Sequence, residues 1–195
     1  AHGVGICLQI LKTDTVISTN CIFFTNYGEC ISIGFHLSPS RALKNVNCSF
    51  ENNIIKRDKY GRFRAIIFCE SLWKLINIGC SFINNTAMES VGVIFVQKVD
   101  IVQNIKSKFV HNKADKTGGC LHGEKVKSVT NIWNEYINNT ASSDGGAVYI
   151  KDVFSYTNIG CLWKGNLAGE SGGTIFTLSV NTIRNINNDY INNLI

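Results

Sequence analysis

The sequence predicts an all-β fold: a right-handed single-stranded parallel β-helix, a solenoid of about seven coils of about 27 residues each. Three observations predict it. The first is a period. An aromatic mark falls at Phe24, Phe50, Phe82, Phe109, Tyr136, Trp163 and Tyr190, and the separations between successive marks run 26, 32, 27, 27, 27 and 27. Self-similarity at a period of about 20–50 residues is the signature of solenoids, propellers and arrays. The second is a set of ladders carried by the same period. Asn53, Asn85, Asn112, Asn139, Asn166 and Asn193 follow their marks by three, and Asn45, Asn77, Asn104, Asn131, Asn158 and Asn185 precede them by five. Val46, Ile78, Ile105, Ile132, Ile159 and Ile186 precede them by four. The third is local spacing. Ile78, Cys80 and Phe82, and again Ile159, Cys161 and Trp163, recur at every second position, as in strands. The i, i+3, i+4, i+7 pattern of a helical repeat is missing.

A unit of this length holds three short strands, expected in one coil near residues 99–102, 105–109 and 119–123. In-register stacking wraps the strands into three parallel sheets, and each coil rises by about 4.8 Å. Strand-to-parallel-strand crossovers are nearly always right-handed, which sets the expected hand. The Ile row, with Ile132 as its test position, is expected to face the core. Asn tolerates left-handed backbone and carries both a donor and an acceptor, so the Asn rows read as turn builders with side chains bonded along the rod. Gly118-Gly119, Gly145-Gly146 and Gly172-Gly173 read as a turn needing positive φ or close backbone approach. No Lys-Ser/Thr follows them, so they are not phosphate loops.

Taken in order, the stretch from Ala1 to Asn20 resembles the end of a preceding coil. The coil at Phe24 looks degenerate, with Tyr27 where Asn is expected. The next coil is longer than its neighbours by five, and the excess falls in the stretch 54–64. There Lys56, Arg57, Lys59, Arg62 and Arg64 stand beside Tyr60 and Phe63. Insertions on a solenoid project from one face, often the binding face, so these seven residues are the candidate ligand-binding set; the bland alternative is a solvated bulge. A second candidate is the row Phe68, Phe95, His122, Tyr149, Phe176 beside Ile67, Ile94, Leu121, Val148, Ile175. Neighbours on a strand face opposite ways, so an inward aliphatic row makes the aromatic row an outer groove, and the reverse makes it core.

Residues 1–195 read as one β-helix domain, a segment of a longer solenoid, with a single Pro and no linker composition. The net charge of +5 is mild, and no nucleic-acid partner is expected. No run of apolar residues is long enough for a membrane helix, and the start of the chain shows no signal peptide. Attachment to a membrane is expected only through parts of the chain beyond this sequence. The 8 Cys include no CxxC pair, and the four His form no ligand pattern, so no metal and no cofactor are expected. Cys48, Cys80 and Cys161 share one position and read as buried free thiols, with the remaining Cys off that ladder. Asp115, Asp144 and Glu170 follow their marks by six, eight and seven, beside the Gly-Gly turn. They could cluster there, which keeps a carbohydrate-active lyase or hydrolase as the alternative to a non-enzymatic rod, with solvated turn charge as the plainer reading.

The motif F-x-x-N stands at Phe50 to Asn53, Phe82 to Asn85 and Phe109 to Asn112, and Gly-Gly-small-aliphatic at Gly118 to Leu121, Gly145 to Val148 and Gly172 to Ile175. The pair resembles the repeats of the chlamydial polymorphic outer-membrane proteins, over nearly all the chain from Phe24. That resemblance implies a β-helical passenger at the cell surface or outside the cell, acting as an adhesin or structural stalk without catalysis. Its implied partner is a host-cell surface protein or glycan.

Overall fold

A computed structural model of the chain describes residues 8–10, 12–28, 32–56, 64–88 and 91–195. The strands among them form three parallel sheets of eleven, seven and six strands. The chain passes from sheet to sheet in each coil and returns one coil higher. In the regular coils the circuit is Glu135–Ile137, Thr140–Ala141 and the long Val148–Ile159, which stacks on Leu121–Ile132 and under Ile175–Ile186. Earlier coils split the long strand, as Ala65–Glu70 with Leu72–Ile78 and Ile94–Gln97 with Ile101–Ile105. Seven strands of the aromatic-bearing sheet make six full turns.

Every corner is a column of left-handed residues. One holds Asn52, Asn84, His111, Asn138, Gly165 and Asn192; a second Ser71, Lys98, Lys125, Asp152 and Ser179; a third Asn47, Gly79, Lys106, Trp133, Gly160 and Asn187. The fourth is Gly118, Gly145 and Gly172. Its partner column is glycine for space: a Cβ on Gly119 would meet the carbonyl oxygen of Gly146 at 2.2 Å, and one on Gly146 that of Gly173 at 2.1 Å.

The third corner corrects two expectations. Residues 105–109 are not one strand, because Lys106, at φ 49°, breaks the alternation between Ile101–Ile105 and Lys108–Val110. The facing is also inverted. Asn45, Asn77, Asn104, Asn131 and Asn158 are fully buried, whereas Ile78, Ile105, Ile132 and Ile159 are half-buried on the outer face. Asn goes inside because stacking satisfies it: each Nδ2 donates to the Oδ1 of the next coil's Asn, from Asn45 to Asn185, at 2.8–3.0 Å. The second Asn ladder is tied more tightly. Asn139 donates its backbone N–H and its Nδ2 to Asn166 Oδ1, and its Nδ2 also to the Phe109 carbonyl.

A third correction concerns the first coil. Phe23, not Phe24, pairs with Phe50, so the first step is 27, equal to the last four. The coil is then regular: Asn26 holds the ladder position and its Nδ2 donates to Asn53 Oδ1. Cys21 likewise joins the column of Cys48, since Ser49 N–H bonds the Cys21 carbonyl as Ser81 N–H bonds that of Cys48. Cys48, Cys80 and Cys161 are free and buried, and burial pushes the Cys80 thiol up to about 11. Cys69 and Cys120 are also free and buried, whereas Cys7 and Cys30 lie outside the described residues.

The core is built of like on like. The inward rings Phe23, Phe50, Phe82, Phe109, Tyr136, Trp163 and Tyr190 form one stack, with centroids 4.0–6.0 Å apart and planes within 5°. Leu72, Val99, Val126 and Val153 line another inner column, and Ala87, Ala114, Ala141 and Ala168 a third where the sheets come close.

Asn139→Ala removes the acceptor of two Asn112 donors and the donor to Phe109. Orphaning buried polar groups costs about 1–3 kcal/mol each. A loss of about 3 kcal/mol lowers the thermal midpoint by roughly 6–12 °C in a chain of this size. Ile132→Ala, on the half-buried row, is expected to cost no more than about 1.5 kcal/mol. Equal midpoints for the two variants in thermal unfolding would contradict this inside-outside assignment.

Candidate functional site

The row Phe68, Phe95, His122, Tyr149, Phe176 faces outward. Its neighbours Ile67, Ile94, Leu121 and Val148 belong to the main core, while Phe68 and Phe95 pack in a separate small cluster with Ala65 and Val91. The rings stack at 4.9, 5.4, 4.6 and 5.3 Å, and His36 caps the lower end edge-on to Phe68 at 5.3 Å. The row is not an open groove along its length. Phe95 is 1% exposed and His122 3%, roofed by the glycine-corner segments, whereas Phe68, Tyr149 and Phe176 are half-buried. The result lies between the two sequence alternatives: the row is outward, yet its centre is a second, smaller core.

A polar network fixes that roof. His122 Nε2 lies 3.0 Å from Glu124 Oε1, and His122 Nδ1 lies 2.7 Å from Thr117 Oγ1. Glu124 Oε2 also accepts from Gln97 Nε2 at 3.1 Å. The bond from His122, then the charge His122 carries at the low pH where Glu124 titrates, the bond from Gln97 and the charge of Lys151, outweigh burial and hold the Glu124 carboxyl down at about 2. A carboxylate only accepts, so Nε2 carries the proton and Nδ1 accepts from the Thr117 hydroxyl. Burial lowers the His122 pKa, which favours the neutral ring between Phe95 and Tyr149. The carboxylate–imidazole–hydroxyl chain therefore clamps the corner segment onto the ring row. Sequence reasoning missed it. His122 and Glu124 stand two apart on one strand face, but Thr117 reaches them only across the glycine corner.

The basic insertion leads into the lower end of this face. Tyr27 pairs with Ile54 at the regular offset, but Phe35 pairs with Ile67 at the longer one. The five extra residues are thereby confined to the connection between Ile54–Lys56 and Ala65–Glu70. Lys56 is half-buried at the end of its strand. Arg64 is 1% exposed, and its charge adds to burial in lowering the His36 pKa, against the opposing pull of Glu70. Arg57, Lys59, Tyr60, Arg62 and Phe63 lie outside the described residues.

The three acids share the glycine corner but not a column. Asp144 bridges Ser171, the Glu170 amide donates to the Ser143 carbonyl, and the Asp115 amide to that of Ala87. Asp115 also pairs with Lys113 at 3.8 Å, and Glu170 is exposed. Among the described residues no group of three His, Cys, Asp or Glu is placed to hold a metal ion. Among them, too, no helix is long and apolar enough to cross a membrane.

Residues 137–151 match the Chlamydia polymorphic membrane protein repeat. That stretch includes the Asn-Asn turn, the glycine corner and the start of the long strand. No curated protein and no solved structure matches the chain significantly.

The clamp makes stability depend on pH. His122 has a folded pKa below its ordinary 6.5, so its contribution is present above 6.5 and is lost as pH falls through the lower folded value. Glu124 adds a second loss between 4.5 and about 2. The thermal midpoint is therefore expected to fall from pH 7.5 to pH 5. His122→Phe, which keeps the ring stack, is expected to flatten that fall; an unchanged pH profile would contradict the clamp.

Proposed function

We propose that this chain is part of a surface-displayed β-helix of the polymorphic membrane protein type and acts as an adhesin. The observation that carries the reading is the repeat match at residues 137–151, which falls on the unit that the solenoid stacks coil on coil. The family suggests a location at the outer membrane or cell surface. A rod whose inner columns are fixed by stacking leaves its outward columns free to vary, which suits recognition without catalysis.

The basic insertion is the proposed contact for a host-cell surface protein or glycan. Lys56, Arg57, Lys59, Tyr60, Arg62 and Phe63 supply cations and aromatic groups, and Arg64, the last of the set, is buried. The adhesive reading needs no bound metal or cofactor.

Replacing Arg57, Lys59 and Arg62 together with Ser is expected to reduce binding of the folded chain to host cells at least fivefold, with the thermal midpoint within about 2 °C of the parent. Flow cytometry with the labelled chain reads the first quantity and thermal unfolding the second. Equal cell binding by parent and variant would remove the insertion as the contact, and no cell binding by the folded parent would remove the adhesive reading.

A further inference from the structure

Trp133 stands where its column calls for Asn or Gly. The members of that corner, Asn47, Gly79, Lys106, Trp133, Gly160 and Asn187, all have φ between 49° and 62°. Left-handed backbone suits Asn and Gly and disfavours a bulky side chain. Burial does not compensate, since Trp133 is 64% exposed. Strain held at an exposed position is a reason to look for use.

The ring is also seated. A Cβ built on Gly160, one coil above, would lie 3.6 Å from indole Cδ1, 3.6 Å from Nε1 and 3.7 Å from Cε2. Near-equal distances to three atoms of the five-membered ring place that point over the ring face. The indole therefore lies flat across Gly160, where a longer side chain would intrude, and turns its other face outward. Two residues after Trp133, at the start of the next sheet, Glu135 forms an ion pair at 3.3 Å with Lys108 of the coil below, both side chains partly exposed. Lys106 is exposed one coil below in the Trp133 column.

We propose that Trp133 is a stacking platform for a neutral hexopyranose, a sugar ring with one face of C–H bonds, read at its rim by Lys108 and Glu135. The chemistry selects this ligand. A flat, exposed indole offers a π face to C–H groups, and a paired cation and anion offer both donors and acceptors to hydroxyls. A nucleic acid needs net positive charge, which Glu135 cancels at Lys108. A protein hot spot sits in a pocket ringed by contacts that exclude water, whereas Trp133 stands largely exposed at a corner of the coil. The proposal deepens the adhesive reading and rests on it for the presence of surface glycans.

The test follows the three indole N–H signals of Trp73, Trp133 and Trp163 by NMR while lactose, N-acetyllactosamine or cellotetraose is added to the folded chain. The Trp133 signal is expected to shift saturably with at least one probe, with Trp73 and Trp163 unmoved. Trp133→Gly is expected to weaken that sugar at least tenfold without lowering the thermal midpoint, because Gly accepts the backbone that Trp strains. A still Trp133 signal with all three probes, or sugar binding retained by Trp133→Gly, overturns the platform. These outcomes overturn the platform and leave the adhesive reading, carried by the basic insertion, intact. Loss of all cell binding by the parent would remove that reading instead.

Discussion

The structure depends on buried side-chain amides that are each bonded to an identical residue one coil away. An Asn buried inside a β-solenoid must find its hydrogen-bond partners within the stack. It survives there because the next coil presents another amide at the strand spacing. In the ladder through Asn112 and Asn139 each residue makes bonds to the coil above and to a carbonyl of the coil below. A shift of one residue in any coil breaks the chain of bonds and turns every side chain to the other face. The amide ladders therefore set the register, and the flat ring stack and the aliphatic columns follow from it. The coil after Phe50 shows the rule: it is five residues longer than its neighbours, yet the strands on both sides of the added length pair in register.

That constraint separates two populations of residues. Inner columns are repeated because each position is its own neighbour's partner. Most of the chemical variety sits in the outer columns, although the half-buried row from Val46 to Ile186 repeats as faithfully as an inner one. The outward ring row mixes Phe, His and Tyr, the third corner mixes Asn, Gly, Lys and Trp, and the glycine corner carries the acids and Thr117. The glycine corner also explains the clamp. Gly118 has no side chain in the way, so the segment before it folds back over the outer face, where Thr117 meets His122.

Much of this was legible in the chain. The period, the parallel sheets, the glycine turn and the buried thiols follow from spacing alone, because a repeat makes each position readable several times over. What was not legible turned on phase. Left-handed corner residues such as Lys106 and Trp133 interrupt the two-residue alternation, so Ile132 and Tyr136 look like the same face when they are not. Hydropathy favoured Ile inside, and only the reciprocity of amide stacking explains why Asn131 takes that place. At Phe23-Phe24 two adjacent aromatics left the mark ambiguous by one residue, and Asn26, three after Phe23, was the signal that resolves it. The clamp was hidden because Thr117 and His122 come together across a turn whose geometry no spacing rule encodes.

The most direct test of the amide ladders is hydrogen exchange at the side-chain NH2 groups of Asn112, Asn139 and Asn166, followed by NMR in the folded chain. If these amides hold the register, their side-chain protons exchange as slowly as the backbone amides of the strands they join, and far more slowly than those of the exposed corner residues Asn84 and Asn138. Exchange at the rate of exposed side chains would mean that the amides are not bonded along the rod, and the account of what fixes this fold would be wrong.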